Sequence, residues 1–453
     1  MSILNQKINA FIARLAREDV NMHAFQLSIN GRMLAKAYYG PFREGEPHRM
    51  YSVSKTMTGL AIGMLCEDGK LSLDQRITEF FPDWLPDAPS PFLTSLTIRD
   101  MLRMATCYRQ TAYQERTDEN WAKSFFTGRP DHAPGTVFNY DTGCSQVLAA
   151  LVRRLSWQEV IDFLQDRLFA PLGADDPKKW LRDPSGCCQG GTGLCMSLRD
   201  LHKVSQCLLD GGRGLVPAWY VREMQLKQID TVLQGNQEER YGYGWQCWRT
   251  RSGWSMYGMG GQLVIFCPEQ RAILSTLADT RLDPCGVQRI YNAFYDELEP
   301  ALAAIAAEMG VGKSADAYLS LHLPIAGLPD ASGPHPERLG PYTFAAENDL
   351  GMKTLQLSQS RLIWENARGR AELPFSPGNV IEAEYPSWPD EPALVASGWL
   401  DDRNLRVRCH AIGDAPCGFD MLLSFGADTV TLQSTRSWDP RTDDYDGAAS
   451  GKI

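Results

Sequence analysis

The sequence lacks several features that would assign its class directly. It has no run of 18 apolar residues, the least a membrane-spanning helix requires. Its first residues, "MSILNQKINAFIARLARED", hold neither an apolar h-region nor a small-residue cleavage site, so no secretory signal is expected there. Positive charge is in deficit: 45 Lys and Arg stand against 55 Asp and Glu, a formal net charge of −10. A phosphate-backbone partner needs a basic surface, so nucleic acid is not expected as a ligand. Histidine is scarce, seven residues scattered singly, and no C-x-x-C pair occurs. Cys187, Cys188 and Cys195 lie close together, but without such a pair or a histidine cluster no metal site is expected. Internal repeats and low-complexity tracts are also missing.

What is present is ordinary globular composition, 43% hydrophobic and 22% charged, over 453 residues, enough for two or three domains. The twelve cysteines follow no repeated spacing. With no leader expected, they are read as reduced thiols and the location as cytoplasmic.

Hydrophobic periodicity divides the chain. "FQLSINGRMLAKAYYG" reads as a hairpin turning at Asn30-Gly31. In "MYSVSKTMTGLAIGMLCEDGKLSL", Met57, Leu60, Ala61, Met64 and Leu65 recur at helical spacing, and Gly69 stops the helix. From about Arg76 to Gly212 the pattern is mostly helical. Ser156-Trp157-Gln158-Glu159 reads as a capping box opening a helix that Pro171 ends, and Ser197-Leu198-Arg199-Asp200 opens another, closed by Gly211-Gly212. Strands are then expected at "YGYGWQCW", "GQLVIFCP" and "RAILSTLAD", followed by a helix through "VQRIYNAFYDELEPALAAIA". The expected architecture is α+β: an antiparallel sheet of N- and C-terminal strands flanked by helices, with a helical region inserted.

Composition shifts near Leu323, where "LPIAGLPDASGPHPERLGP" is rich in Pro and Gly. Beyond it nearly every segment alternates with period two, which predicts a second, all-β domain, a sandwich or small barrel. The expected boundaries are 1–310 for the first domain, 311–337 for a linker and 338–453 for the β-rich domain.

Ser52 and Lys55 form the one S-x-x-K in the chain, and it opens the helix. A serine at a helix start is commonly a cap. The alternative is a nucleophile with its own base: residues i and i+3 share a helix face, and free backbone N–H groups point at whatever sits at the N-terminus. A lysine base acting near pH 7 must fall about three units below its usual value of about 10.4, which takes burial or a neighbouring cation.

At these residues the chain resembles the serine β-lactamase and penicillin-binding-protein superfamily, with class C-like esterases and 6-aminohexanoate-dimer hydrolases as the nearest branch. "YSVSKTMTGLAIGMLCEDGKLSLDQRITEFFPDW" is similar to the family's first motif. "LTIRDMLRMATC", "PGTVFNYDTGCSQVLAALV", "GGTGLCMSLRDLHKVSQCLLDGG", "YGYGW" and "YGMGGQLVIFCPE" resemble later landmarks in the same order. The resemblance covers roughly Phe25 to Tyr295, and the β-rich tail resembles an accessory domain seen on some of these hydrolases. It implies a β-lactamase-like fold with Ser52 as nucleophile, Lys55 as base or base-orienting group, and Tyr140 as second proton carrier. The oxyanion would be held by the backbone N–H of Ser52 and that of Met259, with Gly260 as the rival. No metal or cofactor is needed.

Three positions depart from the family pattern. Thr142 stands where the second motif has Asn, and Cys107 where a Ser-Gly glycine is usual. The third motif, normally Lys or His followed by Thr or Ser and Gly, reads Met256-Tyr257-Gly258. Thr142, Met256, Gly258 and Gly260 are therefore the expected substrate-binding positions, and the group that meets a substrate carboxylate is missing, with Arg249 or Arg251 as possible replacements. A neutral ester, an uncapped amide or a hydrophobic acyl group fits such a site better than a β-lactam. The expected function is a serine esterase or amidase acting on a small ester or amide. An acyltransferase using the same serine and a catalytically weak ligand-binding relative are the alternatives. Neither a nucleic-acid nor a membrane partner is expected, and the oligomeric state is open.

Overall fold

In the computed structural model the described residues are 2–40, 42–109, 120–281, 283–308, 319–323, 340–386, 388–412, 417–436 and 445–453. The first domain is built on a seven-stranded sheet. Its order is Leu319–Leu323, Arg32–Tyr39, Met22–Ile29, Ala272–Ala278, Gln262–Cys267, Gly253–Gly258 and Trp248–Thr250. Asn30 and Gly31 take positive φ (53° and 74°), the left-handed pair that a two-residue hairpin requires.

Each sheet face carries its own core. On one side Phe25, Leu27, Leu263 and Ile265 pack with Phe11 of the helix Ile3–Arg17 and Ile290 of Gly286–Ala293. On the other, Ala24, Met256, Val264 and Phe266 pack with the helices Val53–Glu67, Thr142–Ser156 and Leu198–Leu209. The helix Val53–Glu67 is not amphipathic as periodicity suggested. Every residue from 53 to 65 is buried, because helices, sheet and loops enclose it on all sides. Its polar side chains bond to the surrounding backbone: Thr56 Oγ1 donates to the Gln246 carbonyl at 2.6 Å and Thr58 Oγ1 to the Gly190 carbonyl at 2.8 Å.

Three local expectations change. Ser156 does not open a helix but closes Thr142–Ser156. Its hydroxyl donates back to the Val152 carbonyl at 2.7 Å, Trp157 turns left-handed (φ 60°), and the next helix starts after Glu159. "YGYGW" is not a strand; only Trp248–Thr250 joins the sheet. Within it Tyr243 makes only isolated bridges, to Ile229 and Trp248, and a Cβ on Gly244 would sit 2.0 Å from the Met224 carbonyl oxygen at the end of the helix Ala218–Met224. Finally, Leu319–Leu323, inside the expected 311–337 linker, pairs in parallel with Arg32–Tyr39 and adds an edge strand to the first sheet. The Pro/Gly-rich stretch after it lies outside the described residues.

The C-terminal domain is a nearly closed ten-stranded barrel rather than a sandwich. Its order runs from Gly369–Pro374 through Arg361–Asn366, Thr354–Leu357, Pro341–Phe344, Gly447–Lys452, Thr429–Arg436, Gly418–Phe425, Asn404–Ala411 and Trp388–Trp399 to Val380–Tyr385, and the two end strands come into contact. Alternation explains it: in Thr429–Arg436 the even positions Val430, Leu432 and Ser434 are buried. Arg406 and Arg408 of the barrel reach Asp19 of the first domain, at 3.4 and 3.5 Å. His410 Nδ1 lies 3.6 Å from Asp279, next to the end of the central strand.

Candidate active site

Ser52 stands at the start of the buried helix, but its hydroxyl makes no capping bond. It accepts instead from Lys55 Nζ at 3.0 Å. Lys55 is 1% exposed, and its ammonium also donates to the Gly191 carbonyl at 2.9 Å. Burial lowers the Lys55 pKa to about 7, partly opposed by Cys144 and Asp141. Gly191 is required by this arrangement: a Cβ there would lie 3.1 Å from Lys55 Nζ and 2.6 Å from Thr142 Cγ2. The loop carrying it is tied to the Ser52 helix, since Leu194 N–H donates to Ser54 Oγ at 3.0 Å and Met50 N–H to the Leu194 carbonyl at 2.7 Å.

Tyr140 comes from the turn before Thr142–Ser156. Its ring lies 4.9 Å from Lys55 Nζ, and its oxygen shares a hydrogen bond with the Ser52 hydroxyl. Burial raises the phenol above its usual value, with the Ser52 bond opposing. The Trp248 ring stacks on it, with centroids 5.5 Å apart. Tyr140, 85 residues beyond Lys55, thus converges with Ser52 and Lys55 at one point.

The backbone before Ser52 is strained. Tyr51 has φ 44°, rare outside glycine. Its hydroxyl accepts from Arg281 Nη1 at 2.9 Å. Gly258 is the second position where glycine is needed, because a Cβ would come within 2.3 Å of the Met50 carbonyl oxygen. This brings the strand Gly253–Gly258 against the segment that leads into Ser52. The turn after it places Met259 and Gly260 beside Ser52 in a cavity of about 280 Å³. Among the described residues, neither the Ser52 nor the Met259 amide donates to a backbone carbonyl.

The substrate-facing expectations are partly displaced. Met256 is fully buried in the core and does not line the cavity, because side chains alternate along the strand. Tyr257 and Met259 line the cavity instead. Thr142 packs on Gly191, also away from the cavity lining. Arg249 donates to the Gln225 carbonyl at 2.8 Å and Arg251 pairs with Glu238, so neither reaches the site.

Sequence reasoning missed Gln246. Its φ is 57°, its side-chain oxygen accepts from Ser145 Oγ at 2.7 Å, and its Nε2 donates to the carbonyls of Met101 and Leu102 at 3.2 and 3.0 Å. It binds the Thr142–Ser156 helix and the Ile98–Leu102 helix to the base of the site, and no local pattern marks it. Arg281 was also missed. It lines the cavity while held by Asp279 through Nε and Nη2, at 2.7 and 2.8 Å. Burial pushes Asp279 up, but Arg281 outweighs it and holds the carboxyl below the usual range.

A family model described as "Beta-lactamase" matches residues 10–295. A 6-aminohexanoate-dimer hydrolase of Paenarthrobacter ureafaciens is 27% identical over 242 residues, 49% of this chain and 59% of that protein. The chain therefore spans about three-fifths of the length of the curated relative it matches. The D-amino acid amidase of Ochrobactrum anthropi, complexed with L-phenylalanine amide, superposes with a TM-score of 0.54 at 17% identity, over 67% of this chain and all of that one. An octameric penicillin-binding protein homologue from Pyrococcus abyssi superposes with a TM-score of 0.50 at 14% identity, over the whole of both chains. At these identities the likeness to solved structures is one of fold.

Proposed function

The chain belongs to the beta-lactamase family of hydrolases, and on that premise we propose that it is a serine esterase or amidase working through a covalent ester on Ser52. The observation that carries this is the 3.0 Å contact between Lys55 Nζ and Ser52 Oγ, made by an amine whose pKa falls to about 7. Near neutral pH a large share of this lysine is unprotonated and can accept the serine proton.

Ser52 Oγ attacks the substrate carbonyl and its proton passes to the Lys55–Tyr140 pair. The tetrahedral oxyanion is held by the N–H groups of Ser52 and of Met259, both residues that line the cavity. The pair then protonates the departing alcohol or amine as the C–O or C–N bond breaks. Water, giving a proton to the same pair, attacks the seryl ester, and Ser52 recovers its proton as the acid leaves. The relatives' names, a dimer hydrolase and an amino acid amidase, support an amide or ester as substrate. The twelve cysteines form no disulfide among the described residues, which supports work in the cytoplasm.

A panel of p-nitrophenyl esters and short amides assayed with wild type and Ser52→Ala tests this. Turnover of at least one substrate that vanishes in the variant is expected. Equal turnover by both proteins contradicts the mechanism.

A further inference from the structure

The charges lining the Ser52 cavity are not equally occupied. Among the described residues, three charged side chains line it: Arg281, Asp283 and Glu239. Arg281 is committed to Asp279 and to the Tyr51 hydroxyl, and its side chain is only 4% exposed. Asp283 pairs with Arg289 at 2.8 Å. Glu239 differs. Among the described residues it makes no ion pair; its carboxylate accepts from Asn236 Nδ2 at 3.0 Å and from the Tyr257 hydroxyl. Its neighbour Glu238 shows the contrast, being 1% exposed and paired with Arg251. Glu239 acts on the Tyr140 phenol electrostatically, which places it near the reacting groups.

The rest of the wall suits the same guest. Trp248, Tyr257 and Tyr140 line the cavity, and aromatic faces attract cations. A substrate carboxylate entering here would meet Glu239 and find the one lining arginine already engaged. An ammonium would meet a carboxylate with no cation of its own and an aromatic surround.

We propose that the site takes acyl donors bearing a free amino group, aminoacyl esters or amides, and that Glu239 is the residue setting this specificity by pairing with the substrate ammonium. The inference rests on the reading of Ser52 as nucleophile. The acyl chemistry is unchanged; the added interaction positions the carbonyl by anchoring the far end of the acyl group.

The test compares kcat/KM on p-nitroanilides of D- and L-alanine, β-alanine and 6-aminohexanoic acid with their N-acetylated counterparts at pH 7.5. A charged hydrogen bond lost on acetylation corresponds to roughly tenfold or more. At least one free-amine substrate should therefore exceed its N-acetyl partner by tenfold in wild type. In Glu239→Gln that ratio should fall to within about threefold of one, while Glu239→Asp keeps part of it. Ratios near one for every pair in wild type, or a ratio unchanged in Glu239→Gln, would overturn the proposal. Ser52-dependent hydrolysis of p-nitrophenyl acetate is measured on the same preparations. If it is present while the ratios stay near one, only the amino-group specificity fails; if it is absent, the hydrolase reading fails with it.

Discussion

Lys55 Nζ lies 3.0 Å from Ser52 Oγ, one helical turn away, and 2.9 Å from the Gly191 carbonyl oxygen. The two contacts fix the amine between the Ser52 hydroxyl and a backbone acceptor on a separate loop. The helix supplies the spacing, and its complete burial supplies the depressed pKa. A capping serine would have turned its hydroxyl toward the backbone N–H groups of the first turn, and this one does not.

The pH dependence follows from the sign of that shift. The base is the unprotonated amine, so kcat on a fast ester should rise with pH and level off above an apparent pKa near 7, a value belonging to the coupled Lys55–Tyr140 pair. Lys55→Arg should lose activity at every pH up to 9, since a guanidinium keeps its proton. A flat profile between pH 5.5 and 8.5, or an active arginine variant, contradicts the role of Lys55.

The same lysine should weaken the fold at low pH. Its folded pKa of about 7 lies below the unfolded value of 10.5. Below pH 7 both states hold the proton, so the native state bears the whole cost of a buried ammonium, about 5 kcal/mol for the drop from 10.5 to about 7. Between about 7 and 10.5 that cost shrinks to nothing as the native state sheds its proton first. Lys55→Met removes it but strands the Gly191 carbonyl, at about 1–3 kcal/mol. Thermal melts should show Lys55→Met more stable than wild type at pH 6, with the gain reduced or reversed at pH 9. A difference that does not vary with pH counts against a depressed lysine.

Gly191→Ala places a methyl group 3.1 Å from Lys55 Nζ and 2.6 Å from Thr142 Cγ2. The ammonium has to shift from Ser52, so kcat should drop at least tenfold, in line with the usual cost of a misplaced catalytic group. Circular dichroism should show a folded protein. Wild-type kcat in this variant would mean that the glycine is not what positions the lysine.

The legibility of the molecule follows the length scale of each signal. The S-x-x-K pair was readable because a helix turns in 3.6 residues, so residues three apart must meet. The barrel was readable because strands such as Thr429–Arg436 alternate strictly. Gln246 and Arg281 were not, since their roles come from chain segments more than a hundred residues away, at Ser145 and at Tyr51. Met256 was assigned to the substrate by motif register, yet period-two alternation buries it and leaves Tyr257 to line the cavity. The edge strand Leu319–Leu323 was hidden because five residues before a Pro/Gly-rich run carry too little pattern to be told from a linker.

Met256 bears on β-lactam chemistry as well. No cation free to greet a substrate carboxylate lines the described cavity, so a short-chain p-nitrophenyl ester should exceed nitrocefin by at least about a hundredfold in kcat/KM, the upper range for one lost charged hydrogen bond. Met256→Lys should destabilise the protein, because it buries a charge in the core. Met259→Lys, at a position 42% exposed and lining the cavity, should narrow the gap. Similar kcat/KM on both substrates in wild type would show that the missing cation is irrelevant.

The central claim is a covalent ester on Ser52, and intact-protein mass spectrometry after reaction with a fluorophosphonate probe tests it most directly. One adduct per chain is expected, mapped to the peptide containing Ser52, absent from Ser52→Ala and strongly slowed in Lys55→Arg. An adduct on another residue, or full labelling of Ser52→Ala, would contradict the account.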